Sequence, residues 1–389
     1  MKEKIRIAFL LSTTLYSRAI FHGIKSYINI HKAPWQVQSG PSDPRTVQAA
    51  QKWGAHGFIA YLDNREVEDA LVQHGAHAVN YSGILASPRI PRVRTDDRLA
   101  GKQAAEFFLA KGFRHFAFSG YSNYHYSMER QIAFEQTVRE AGWPCHILEH
   151  EIPDTDLWNP YMWKEREERI GKWLEALPKP LAFYCAEDLR AIQIAEVASE
   201  RTIPVPESVA ILGTDNLEML CDFASPSLSS LAPNMEKVGF EAAALLGRLI
   251  NGERNPPNEI LVAPLGIKAR RSTDLEAVED TEVAAAAQFI RENAGRPILV
   301  EDILKAVPMS RRNLERRFKS VLGRSPLEEI HRLRIQKAKE LLTIRGLTIK
   351  EVAQRCGFSS AKGFALGFAR LAGMTPSQYR KENLLPLHE

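Results

Sequence analysis

Residues 348–380 read TIKEVAQRCGFSSAKGFALGFARLAGMTPSQYR. Thr348 can cap a short helix whose apolar residues Ile349, Val352 and Ala353 share one face, and Gly357 supplies its stop. Ser359 and Ser360 open a second helix carrying Phe364, Phe368 and Leu371 at three- and four-residue steps. Two short helices joined by a Gly-containing turn describe a helix-turn-helix. Such a unit points to DNA, and the rest of the 389 residues is expected to control it.

A second unit of the same kind lies upstream, in VEDILKAVPMSRRNLERRFKSVLGRSP (300–326). Ser310 is a natural N-cap, and Leu314, Phe318, Val321 and Leu322 make a buried stripe. An amphipathic helix from about 327 to 344, ~27 Å long, separates the two units. A spacer of that length can hold two recognition helices about one duplex turn, ~34 Å, apart on one face of DNA. The charge agrees. Residues 300–389 hold 18 Lys and Arg against 9 Asp and Glu, leaving 33 against 38 of the chain's 51 and 47 for everything before. A basic end on a mildly acidic body suits a polyanion bound at that end.

The N-terminal half of each second helix faces base edges in such modules. That nominates Ser310, Arg311, Arg312, Asn313 and Arg316 in the first head, and Ser359, Ser360 and Lys362 in the second. Arginine matches the paired acceptors of guanine, and asparagine matches adenine. The second head also carries Ala361, Gly363, Leu366 and Ala369, which are poor in hydrogen-bonding groups. It is therefore expected to position the module on phosphates, with limited base readout.

Everything before residue 274 alternates short apolar strands with helices: IRIAFLL (5–11), GFIAYL (57–62), VRTD (93–96), HFAFSG (115–120), LAFYC (181–185) and VAILGTD (209–215). Such alternation implies right-handed βαβ units and parallel sheets, with ligands outside the carboxyl ends of the strands. The residues that follow those strands or open helices are the ligand candidates: Tyr16, Arg18, Asp96, Arg130, Glu187, Asp188 and Asp215. Carboxylates, an arginine and an aromatic ring suit a small polar ligand with hydrogen-bonding groups and an apolar face. For the aspartates the competing role is a helix N-cap, above all for Asp97 and Asp188. The region 260–273 reads as one closing strand, and the acidic stretch DLEAVEDTE (274–282) as a linker. The division is a sensor at 1–274, a linker at 275–282 and an all-α DNA-binding domain at 283–389.

Other classes are disfavoured. No apolar run approaches the ~18 residues that span a bilayer. The N-terminus MKEKIRIAFLL reads better as a strand than as a signal peptide, so a cytoplasmic location is expected. Cys145, Cys185, Cys221 and Cys356 show no paired spacing, and His22, His77, His115 and His125 have no metal-ligand spacing. Dinucleotide, Walker and nucleophile-elbow motifs are missing, so neither an enzyme nor a cofactor or metal is expected.

The run G-F-x5-F-x3-F-x-R-x2-G-M-T-P-S-Q-Y-R (357–380) resembles the C-terminal signature of the AraC/XylS transcription regulators. YSRAIFHGI (16–24), VRTDDRLAGKQAAEFFLAKGFRHFAFSG (93–120), ERQIAF (129–134) and IPVPESVAILGTDN (203–216) resemble the effector domain of LacI/GalR repressors. That resemblance implies a two-lobed α/β fold of the periplasmic-binding-protein type over roughly residues 4–272. It also implies sugar contacts by Arg130 and Asp215, with Glu187-Asp188 in the place of the family's Asn-Asp pair. The chain starts at the first effector strand, without the DNA-binding headpiece of those repressors. A LacI/GalR-like sensor joined to an AraC-type module resembles the xylose-operon regulators, on YSRAIFHGI, IPVPE (203–207), ARRST (269–273) and SRRNLERRFK (310–319). The resemblance implies a xylose-responsive activator that forms homodimers, binds operator DNA and recruits RNA polymerase. L-arabinose or another aldose, and repression, stay open as alternatives.

Overall fold

The computed structural model describes residues 4–11, 17–150, 160–253, 255–275, 280–344 and 346–383. Two six-stranded sheets form the first two-thirds of the chain. In spatial order the first holds Glu259–Val262, Arg92–Thr95, Ala78–Asn80, Gly57–Ala60, Ile5–Leu11 and Trp35–Pro41, all parallel. The second holds Gly266–Lys268, Ser229–Ala232, Val209–Thr214, Leu181–Cys185, His115–Tyr121 and Cys145–His150. Only Gly266–Lys268 runs antiparallel to its neighbour. Central strands such as Leu181–Cys185 are buried throughout, because helices cover both faces of each sheet.

Each sheet is the middle of one lobe, and the chain passes between lobes three times. It leaves the first lobe after Thr95 and enters the helix Asp97–Ala110, which packs in the second. It returns after Ala232 to the helix Met235–Ile250, whose Val238, Ala242 and Leu246 join the core of the first. The stretch expected as one closing strand is divided instead. Glu259–Val262 completes the first sheet and Gly266–Lys268 the second, with Pro264 in the crossing. The crossings are tied together by backbone bonds: Asp96 N–H to Val262 O (2.9 Å) and Leu265 N–H to Ala232 O (2.8 Å). Two glycines set close helix contacts. A Cβ on Gly101 would lie 2.2 Å from Arg130 O, and one on Gly239 2.2 Å from Ile20 O.

The remainder is helical. Thr281–Asn293 begins inside the stretch read as linker, capped by Asp280, which accepts from Val283 N–H at 3.1 Å. Val300–Ala306 and Arg311–Leu322 make the first head, and Ile349–Arg355 and Ala361–Ala372 the second. Pro326–Leu342 lies between them, 17 residues or about 25 Å long, and Pro376–Asn383 ends the described chain. The heads have separate cores. Leu314, Phe318 and Ile330 belong to one, and Ile335, Leu342, Phe364 and Phe368 to the other, so the long helix contributes an end to each. Arg334 pins its middle, donating from Nε to Ala294 O (3.1 Å) and from Nη2 to Arg296 O (2.8 Å).

Candidate effector site and nucleic-acid interface

A cavity of about 420 Å³ opens between the lobes. Its floor is a buried ion-pair chain. Arg94, from the strand Arg92–Thr95, donates to the Asp97 carboxylate at 2.8 Å, and Arg130 Nε donates to the other oxygen of Asp97 at 2.8 Å. All three side chains are at most 5 % exposed. Arg94 also reaches Glu129 (2.7 Å) in the second lobe and Glu259 (2.8 Å) in the first, so one guanidinium bridges the lobes. Burial raises the Asp97 pKa, against the opposing pull of Arg130 and Arg94.

Asp215 sits at the carboxyl end of Val209–Thr214, 3.7 Å from Arg130 Nη1 and buried. Its φ is +115° and that of Asn216 is +47°, in the region that L residues avoid. Each such residue costs about 1–3 kcal/mol, and the surroundings hold them there. Asp215 N–H donates to Leu231 O (2.9 Å), and Asn216 N–H donates to Ser230 Oγ (2.9 Å). The strained corner turns the Asp215 carboxylate into the cavity wall. Glu187 lines the same wall and accepts from the Tyr126 hydroxyl. Burial raises the pKa of Glu187, and burial together with the Glu187 charge raises that of Tyr126. The Tyr126 ring lies 4.9 Å beneath the Arg130 guanidinium. From the first lobe, Tyr61 and Tyr81 supply paired rings with centroids 5.6 Å apart. Two arginines, three carboxylates and three tyrosines make a polar floor under an aromatic wall. It suits a small polyhydroxylated ligand.

The structure therefore brings Arg130, Glu187 and Asp215 together at the cavity. It places other candidates elsewhere. Asp96 is the helix cap, accepting from Leu99 N–H at 2.9 Å, and its neighbour Asp97 lines the cavity instead. Asp188 is turned inward, accepting from Ser230 Oγ (2.5 Å), Leu217 N–H (2.8 Å) and Cys221 Sγ (3.3 Å), and burial pushes its pKa up to about 6. Arg18 is exposed in the first turn of Ser17–Ile30 and is not a lining residue of the cavity. Tyr16 lies outside the described residues. Sequence reading passed over Arg94, Tyr61, Tyr81 and Tyr126. For Arg94 a signal existed: two arginines at alternate positions, 92 and 94, share one face of a four-residue strand, with Val93 on the other.

In the first head Ser310 caps Arg311–Leu322, accepting from Asn313 N–H at 3.4 Å. Arg312 and Arg316 are exposed, and Arg316 donates to Asn313 Oδ1 at 3.2 Å. Arg311 is paired with Glu301 (2.6 Å) and Glu315 (3.1 Å), exposed bonds that DNA can displace at little cost. Arg317 points the other way, to Asp280 and Glu282 at the start of the module. In the second head Ser360 caps Ala361–Ala372 from Gly363 N–H (3.1 Å), with Ser359 and Lys362 exposed beside it.

Residues 105–273 match the periplasmic binding protein-like domain family, and residues 303–382 match the helix-turn-helix domain family. The chain is 31% identical to the xylose operon regulatory protein of Escherichia coli K12, across 98% of both sequences. It is 29% identical to that of Haemophilus influenzae, across 97% of this chain and 99% of the relative. A solved structure of the xylose-binding transcription activator XylR superposes with a TM-score of 0.63 at 30% identity, covering 98% of this chain and 99% of the other.

Proposed function

The chain belongs to the family of xylose operon regulatory proteins, which are transcription regulators and not enzymes, and on that premise we propose that it is an activator whose effector is D-xylose. The observation that carries the ligand class is the buried Arg94–Asp97–Arg130 chain with Asp215 and Glu187 beside it. Hydroxyls of an aldopentose accept from Arg130 and donate to Asp215 and Glu187, while Tyr61 and Tyr81 face the apolar side of the ring. The identity of the relatives supports xylose among the aldoses.

The signal has a physical path. The sugar bridges two lobes that are joined by three crossings, so its binding favours their closed arrangement. One crossing leads directly into Gly266–Lys268, where Gln336 of the long helix donates to Ile267 O at 3.0 Å. Arg324, at the end of the first head, donates to Ala110 O at the end of the second lobe's first helix. Both contacts are on the second lobe, so a rearrangement between the lobes carries the DNA-binding module with that lobe. The protein acts in the cytoplasm as a homodimer, each copy laying its two recognition helices into successive major grooves, with Arg312, Arg316 and Asn313 towards base edges in the first and Lys362, Ser359 and Ser360 on phosphates in the second. Arg311 and the capping Ser310 lie along the backbone. Bound beside a promoter, the dimer recruits RNA polymerase.

Calorimetric titration of the intact chain with D-xylose, L-arabinose, D-ribose and D-glucose tests the reading. Saturable D-xylose binding that Asp215→Ala abolishes is the expected result. Binding of another aldose alone would replace the effector, and no sugar binding in a protein that still binds DNA would remove the sugar-sensing role.

A further inference from the structure

The two heads superimpose in sequence at an offset of fifty residues, and the structure honours that register. Ser310 and Ser360 cap, Leu314 and Phe364 are buried, Phe318 and Phe368 are buried, and Gly323 and Gly373 both end their helices at positive φ (71° and 74°). In this register the exposed reading position held by Arg316 in the first head is held by Leu366 in the second. Leu366 is 66 % exposed, although it sits on a helix with a full apolar face already buried. It is flanked at four-residue steps by exposed Lys362 and Arg370, so the three side chains form one row with about 6 Å between neighbours.

We propose that Leu366 reads thymine, by packing on the 5-methyl groups of a T-rich step in the major groove. This rests on the reading of the second head as a DNA contact. The occupant follows from the row's chemistry. Lys362 and Arg370 match phosphates on either side, and an isobutyl group between them can match only the apolar feature of the groove, the thymine methyl. The small residues around it, Ala361, Gly363 and Ala369, let the helix backbone approach the base edges closely. The second head is thus a specific reader by contact and shape, in contrast to the phosphate-positioning role that its lack of hydrogen-bonding side chains suggests.

The experiment starts with selection of duplexes from a random pool by the intact chain. Enrichment of no sequence would remove the DNA-reading function itself. With an enriched site in hand, each thymine is replaced by uracil, which deletes only the methyl. Uracil under the second head is expected to weaken binding about fourfold per contacted methyl, as burial of one methyl group dictates. Leu366→Ala, at an exposed position and with an unchanged melting curve, is expected to bind thymine and uracil duplexes equally. Leu366→Arg is expected to move the preferred base there from T towards G. The proposal is overturned if uracil has no effect under the second head, if Leu366→Ala keeps the full uracil penalty, or if the selected half-site holds no thymine.

Discussion

The two DNA-reading heads are a natural experiment within one chain. They agree where helices pack on one another: serine caps, paired apolar residues fifty apart, a left-handed glycine, then a capped Pro at 326 and 376. They disagree on two faces. On the reading face, Arg312 and Arg316 stand opposite Lys362 and Leu366. On the inner face, Glu329 stands opposite Tyr379, both buried. Glu329 is held between Arg324 and Arg332, and Arg324 is the residue that reaches Ala110 in the sensor. Tyr379 packs its ring on Phe368 instead (5.5 Å between centroids). The first head is therefore an ionic joint to the sensor that presents hydrogen-bonding side chains at its exposed face. The second is an apolar unit that presents Leu366 there.

Emptying one core at a time gives the largest effect. Phe318→Ala and Phe368→Ala each remove a fully buried ring, an expected loss of about 3–5 kcal/mol. Because the cores are distinct, hydrogen exchange should lose protection in one head per variant; loss in both would make the heads a single unit. The next effect depends on pH. Burial pushes the Glu329 carboxyl up, but Arg332 and Arg324 outweigh it and hold the pKa at about 2. A carboxylate lowered in the folded state contributes stability above its unfolded value, here lost as pH falls from about 4.5 towards 2. Glu329→Gln is expected to cost about 3 kcal/mol at neutral pH, with the difference vanishing near pH 2. A pH-independent loss in chemical denaturation would mean that shape, not charge, matters at this position.

The reading faces give smaller effects. Arg312→Ala should cost about 1–3 kcal/mol and relax base preference in the first half-site alone. Lys362→Ala should weaken all sequences alike by less than that and reduce the salt slope of binding by about one. If Lys362→Ala changed base preference while Arg312→Ala did not, the two heads would have their roles exchanged.

Much of this was legible because it rests on buried periodicity. Most interior strands and both helix-turn-helices follow from apolar spacing that packing later enforces, as at Phe318 and Phe368, whereas the three-residue interior strand Ala78–Asn80 is too short to show a pattern. The edge strands Trp35–Pro41 and Cys145–His150 escaped, since a strand at the end of a sheet needs no apolar run; WQVQSGP is exposed at nearly every second position. The cavity was legible where a side chain follows a strand end, as Asp215 does. It was not legible at Asp96 and Asp97, because which of two adjacent aspartates caps a helix depends on Arg94 and Arg130 arriving from elsewhere. Glu187 and Asp188 present the same choice, decided by Ser230, forty-two residues downstream of Asp188. Tyr61 and Tyr81 face the second lobe only once the crossings have folded it over them.

The most direct test of the account is the affinity of the intact chain for its selected duplex, measured by fluorescence anisotropy with and without saturating D-xylose. Tighter binding with the sugar is the expected result, a difference that Arg130→Gln removes while basal DNA binding remains. Identical curves with and without a sugar that demonstrably binds would contradict the coupling between cleft and heads.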